Sequence, residues 1–148
     1  MAYGLFKGYE HNANNSGLRG SVAKNSLVVK MGSPLMAVAT GVDLATAGTP
    51  LLGISVTTKT FDSDNFTVAK ELVEYIPEPN LNNTYLLPIT GGTVTLADEW
   101  ISMYDLVIGA NDVNDFAVNW ASESGTEGTL KLVKFISATK GIFRVVNL

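Results

Sequence analysis

Residues 26–58 read SLVVKMGSPLMAVATGVDLATAGTPLLGISVTT, and this stretch decides the fold. Three apolar runs lie in it. Leu27, Val28 and Val29 form the first, closed by Met31, Gly32, Ser33 and Pro34. Residues 35–38 form the second, closed by Thr40-Gly41 and by Ala47-Gly48-Thr49-Pro50. Residues 51–56 form the third. Each run is short, rich in Val, Ile or Leu, and bounded by Gly or Pro. Helices need longer runs with a 3.6-residue period, so these are strands joined by turns.

Working outward, the same rhythm continues. Residues 66–76 fit two patterns: Phe66, Val73 and Ile76 at helical spacing with Asp64 as N-cap, or alternation with a slip in the middle; among so many strands the segment reads as a strand, and Pro77-Glu78-Pro79-Asn80 stops it. Residues 84–87 make a strand closed by Pro88, and residues 93–96 follow the Gly91-Gly92 turn as another. Residues 97–103, ADEWISM, read as one helical turn. Residues 104–108, 116–120, 130–137 and 142–146 are strands, with 122–128 as a loop. About ten short strands at such spacing predict an all-β protein, a compact sandwich or barrel. Upstream, residues 1–25 are Gly- and Asn-rich and read as an extended N-terminal arm. The β domain is then 26–148, with room for two β subdomains meeting near 77–92. Tyr3, Leu5, Phe6 and Tyr9 are large for a tail, so the arm is expected to dock, on a neighbour rather than its own core.

The 148 residues suffice for one domain that folds without staples. There is no Cys, which excludes disulfides and thiolate metal sites. Only 16% of residues are charged, against about a quarter in an average soluble domain. Charge is also segregated. Residues 1–40 hold four cations against one acid, residues 41–129 two cations against thirteen acids, and residues 130–148 four cations and no acid. Either the basic ends pair with the acidic middle, or a basic face docks on an acidic partner. Ten cations without a clustered stripe argue against nucleic acid as that partner. No apolar run approaches a membrane span and the N-terminus lacks a secretory pattern, so synthesis in a cytoplasm is expected.

Reactive constellations are scarce. His11 is the only histidine and sits in the Asn-rich loop, a poor place for a catalytic base. Residues 111–115, NDVND, resemble half a calcium loop, but Phe116 occupies a ligand position and the Gly is missing. Glu71, Glu74, Glu78, Asp98 and Glu99 could supply paired carboxylates, yet nothing in the pattern brings two together. No phosphate-binding loop or dinucleotide fingerprint occurs. Trp100 and Trp120 with Tyr75, Tyr85 and Tyr104 fit a sugar-stacking platform, a buried core or a subunit interface. The sequence therefore predicts no enzyme, cofactor or metal.

The strand ending LVVKMG at residues 27–32, the stretch AGTPLLGISV at 47–56, and YIPEPNLNNTYLLPITGGTVTLADEWISMYDLVI at 75–108 resemble small β-rich proteins of tailed bacteriophages. In particular they are similar to head decoration, or cement, proteins. The likeness is one of strand and turn rhythm, with no catalytic residues to carry over. It implies a structural component of the virion on the capsid exterior, made in the host cytoplasm. Its partner would be the major capsid protein, and its assembled state a homotrimer. The expected contact residues are Tyr3, Leu5, Phe6 and Tyr9 in the arm and Lys131, Lys134, Lys140 and Arg144 at the basic end. A carbohydrate- or receptor-binding β module of a phage fibre is the alternative.

Overall fold

The computed structural model describes residues 17–80, 83–108 and 116–148. Among them are twelve strands: β1 (Arg19–Val22), β2 (Val28–Val29), β3 (Pro34–Val38), β4 (Gly41–Leu44), β5 (Gly53–Ser55), β6 (Lys59–Thr60), β7 (Leu72–Pro77), β8 (Tyr85–Thr90), β9 (Met103–Ile108), β10 (Phe116–Ser124), β11 (Leu130–Ser137) and β12 (Lys140–Val145). The protein is all-β, as its punctuation of short apolar runs predicts.

The first half forms a five-stranded antiparallel sheet in the order β1-β7-β5-β3-β4, beside the small β2–β6 pair. The second half closes into a barrel, β10-β8-β12-β11-β9, in which only β8 and β10 run parallel. The β3–β4 hairpin sets Val38 opposite Gly41 with two residues between. Gly41 has φ +119°, and a Cβ there would lie 2.7 Å from the Lys24 amide nitrogen, so only glycine lets β1 leave past this turn. Gly53 is constrained from outside: a Cβ would drive into the Ile76 carbonyl and the Tyr75 ring on β7.

Two apolar clusters hold these layers. Ala23, Leu27, Val29, Leu35, Val42, Phe61, Val73 and Tyr75 fill the first sheet. The second cluster fills the barrel with Tyr85, Leu87, Tyr104, Leu106, Phe116, Val118, Leu130, Leu132, Phe143 and Val145, and it also takes in Ala45, Leu51 and Ile54 from the first half. Each such side chain contributes about 1.5–3 kcal/mol on burial, so this shared cluster couples the two halves. Asn147 reinforces it. Its Oδ1 accepts from the Leu51 amide at 2.8 Å and its Nδ2 donates to the Leu51 carbonyl at 2.9 Å.

Several element boundaries differ from expectation. The arm ends sooner than residue 25, because Arg19–Val22 pairs with β7 as β1. The slip in residues 66–76 is a wide helical turn, Asn65–Ala69, closed by Lys70 at φ 53°. Asn65 is fully buried and dictates this turn. Its Nδ2 donates to the Ala23 carbonyl (2.8 Å) and the Glu71 carbonyl (3.1 Å), and its Oδ1 accepts from the Glu71 amide (3.0 Å). Alternation then resumes in β7, with Val73 and Tyr75 inward. Pro88 does not close its strand. It pairs with Lys140 of β12, while β10 reaches only Ile89 and Thr90, so no ladder bond needs the missing N–H. Residues 93–96 form no strand, and β10 runs on to Ser124 into the segment read as loop.

Candidate interaction surface

Strand β11 is only partly covered by β9, which pairs with it at Leu130 and Lys131. Further along, a non-strand segment lies on its edge. The Val94 amide donates to the Ala138 carbonyl at 2.9 Å, and the Trp100 amide to the Leu132 carbonyl at 2.9 Å. Glu99 Oε2 accepts from the Phe135 amide at 2.6 Å. A carboxylate thus stands in for a neighbouring strand, and an edge that would otherwise template foreign pairing is closed.

The segment is rigid for a local reason. Thr95 and Asp98 bracket a 3-10 turn, Leu96–Asp98, with the Thr95 amide donating to Asp98 Oδ2 at 2.7 Å. Asp98 at this position follows the Thr-x-x-acid pattern that starts helices. The turn stops after one round at Glu99, whose ψ of 129° leaves the helical range, and Trp100 follows at φ +63°, a left-handed conformation costly for a bulky side chain. The result is outward presentation. Leu96 is 67% exposed, Trp100 49% and Ile101 65%. The Arg144 guanidinium from β12 sits 5.0 Å from the Trp100 ring centroid, a cation–π contact.

This places one of the expected basic residues in a defined arrangement. Lys131 lies directly opposite Arg144 in the β11–β12 ladder, and Lys134 and Lys140 follow along the same hairpin. Like charges in cross-strand register repel, and the Trp100 face gives the Arg144 charge a favourable seat. The ion pairs among the described residues are Lys24–Asp43 and Lys59–Glu71. Lys131, Lys134, Lys140 and Arg144 make no ion pair with another described residue. The other four expected contacts, Tyr3, Leu5, Phe6 and Tyr9, lie outside the described residues, as do His11 and the NDVND segment.

The acids noted in the sequence are dispersed into separate duties. Glu71 pairs with Lys59, Asp98 holds the 3-10 turn and Glu99 serves β11. Glu78, 7% exposed, accepts from the Asn80 amide (2.8 Å), Asn83 Nδ2 (3.0 Å) and the Tyr85 hydroxyl. Burial lifts its carboxyl to about 7, outweighing the three hydrogen bonds that pull it down. Among the described residues no second carboxylate is hydrogen-bonded into that site, and no cluster of three metal-ligating side chains occurs. A cleft of about 340 Å³ is lined by Asp105, Ser122, Glu127 and Asn147 together with Pro50 and Leu148. Ser122 Oγ there already donates to the Asn119 carbonyl and accepts from the Asp105 amide.

The aromatic residues part company. Tyr85 and Tyr104 are buried, and Trp120 stacks on Tyr104 at 4.1 Å with an interplanar angle of 8°. Burial first, then the Glu123 and Asp98 carboxylates, push the Tyr104 phenol up to about 12. Trp100 alone of the two tryptophans is presented outward. Leu96, Trp100 and Ile101 were not singled out together by sequence reasoning, which took residues 97–103 for a helical turn. The usable signal was the Thr95-x-x-Asp98 cap, which starts a turn that no apolar period continues. Among the described residues no helix is long and apolar enough to cross a membrane. No protein-family model and no curated protein matches this chain.

Proposed function

We propose that this protein is a structural component of a phage virion, a β module that docks on the outer face of the capsid shell and ties neighbouring shell subunits together. The observation that carries the reading is the Trp100 surface. A half-exposed tryptophan is held in a strained backbone conformation beneath an arginine, flanked by exposed Leu96 and Ile101. Trp and Arg dominate the energetic centres of protein interfaces. Lys131, Lys134 and Lys140, which pair with no acid among the described residues, add positive charge along the same hairpin, which suits an acidic patch on the major capsid protein. The strand-and-turn resemblance to head decoration proteins supports the same reading, and with it a symmetric homo-oligomer, a trimer. Function then resides in contacts: each bound module adds interfaces that must break before shell subunits separate.

Mixing the purified protein with emptied capsid shells tests this. Saturable binding is expected, and Trp100→Ala should weaken it by about thirtyfold, the equivalent of a 2 kcal/mol hot spot. Binding should also fall as salt rises, less steeply for Arg144→Ala. A Trp100→Ala variant that decorates shells as well as the parent would remove this surface from the proposal.

The same half-exposed ring is the one feature favouring the alternative, a carbohydrate-binding fibre module. Its immediate exposed neighbours are Leu96 and Ile101, which offer a sugar no hydrogen bonds. Binding to a glycan array that is lost in Trp100→Ala would establish the alternative instead.

A further inference from the structure

A buried asparagine stands beside Glu78 in the passage from β7 to β8. Asn83 is fully buried, and its Nδ2 donates to Glu78 Oε2 at 3.0 Å. Local bonds bring the two together. The Asn80 amide donates to Glu78 Oε1 at 2.8 Å and the Asn83 amide to the Asn80 carbonyl at 3.0 Å, so the chain turns back onto the carboxyl. The Glu78 amide is itself anchored on the Leu52 carbonyl at 3.0 Å. Yet Asn83 Oδ1 has no hydrogen-bond partner among the described residues, and neither has the buried hydroxyl of Thr84, the next residue. Asparagines that hold the structure behave otherwise. Asn65 and Asn147 each bond through both ends of the carboxamide. A buried amide with an empty carbonyl end is costly and uncommon, and the one partner of this side chain is a carboxyl, a group that takes and returns protons.

We propose that this is a self-cleavage site, at which Asn83 Nδ2 attacks the backbone carbonyl carbon of Asn83 and the peptide bond to Thr84 breaks. Glu78 is the catalytic base and then the acid. As a carboxylate it takes a proton from Nδ2 across the existing hydrogen bond, while the new N–C bond closes a succinimide ring. When the tetrahedral intermediate collapses, the C–N bond to Thr84 breaks and the proton passes from Glu78 to the departing Thr84 nitrogen. The products are a cyclic imide at the end of residues 1–83 and a free amine on Thr84. No water, oxidant or cofactor is consumed.

The surroundings favour this step. Burial holds back water, the competing nucleophile. It also makes an ionised Glu78 a stronger base than an exposed carboxylate, since its carboxyl is lifted to about 7. Among the described residues Tyr85 is the only other titratable side chain bonded to that carboxyl, and no charged neighbour is among the causes of its shift. With Oδ1 unbonded, the amide plane can turn on its single hydrogen bond. The cut falls between the first sheet and the barrel, which stay joined through the cluster around Leu51. Scission therefore removes a covalent tie, irreversibly, without releasing either half.

The purified full chain, held at about pH 8 and sampled by denaturing mass spectrometry, tests this. The intact chain should give way to residues 1–83 and 84–148. The masses of the earliest fragments should sum to that of the parent with no added water, while the native particle keeps its size. The rate should rise about tenfold per pH unit below 7 and level off above it, following the ionised carboxylate. Glu78→Gln keeps the shape without the base and should slow cleavage about a hundredfold or more; Asn83→Ala should abolish it. Melting curves show whether each variant folds, and the pH profile of the parent needs neither. A parent chain that stays whole for weeks overturns the proposal. So do earliest fragments that already carry a water, a cut at another bond, a flat pH profile, a folded Glu78→Gln that cleaves at the parent rate, or deamidation of Asn83 in an unbroken chain. No capsid enters the measurement, so the result stands apart from the docking proposal.

Discussion

Glu78 puts a single titrating group at the passage from the first sheet to the barrel. Its carboxyl holds its proton to about 7 against an ordinary 4.5. The folded state therefore binds more protons than the unfolded chain between those values. Stability is fully present below the unfolded value and is lost as pH rises toward 7, by up to about 3 kcal/mol. Among the described residues, the only other titratable side chain hydrogen-bonded to the carboxyl is Tyr85, and no charged neighbour is among the causes of the shift. The urea midpoint of the parent should fall between pH 5 and 8, and Glu78→Gln should flatten that decline. A parallel decline in both proteins would place the proton elsewhere. Asn65 offers a second test at this scale. Asn65→Ala leaves the Glu71 amide and two carbonyls without their buried partner, at a cost of about 2–3 kcal/mol, readable in chemical denaturation.

At the scale of elements, the edge of β11 carries the clearest expectation. Glu99→Ala strips the Phe135 amide of its acceptor and loosens the segment that presents Trp100. About 1–2 kcal/mol of stability should go with it, and shell binding should drop although Glu99 itself faces β11; thermal melting and the capsid mixing assay read the two effects. This scale also shows what the chain made legible. Short apolar runs between Gly and Pro announce strands without ambiguity, because turn chemistry is local. The alternation of Phe116 and Val118 likewise reports the barrel interior. At residues 65–69 the helical spacing and the Asp64 cap were legible but lost to the strand reading, since what fixes the turn is the Asn65 side chain reaching Ala23, 42 positions away. Trp100 was hidden for a similar reason. Nothing in ADEWISM shows that the Glu99 carboxylate will dock on β11 and that Trp100 after it will be left-handed. The basic end was legible as charge, but only folding reveals that Arg144 spends its charge on an aromatic ring.

For the molecule as a whole, the shared cluster around Leu51 decides how it comes apart. Ala45, Leu51 and Ile54 pack with barrel residues, so the two sheets should melt together as one calorimetric transition. Leu51→Ala should lower that single transition by about 2–4 kcal/mol; two resolved transitions in the parent would separate the halves. The clasp between Asn147 and the Leu51 backbone has a temporal side. The two residues are 96 positions apart in the chain. A ribosome adding 5–20 residues per second delivers the second roughly 5–20 s after the first. For that interval the Leu51 peptide groups have no native partner from the tail, and the first sheet waits, half-fastened, for the last strand of its neighbour to be made.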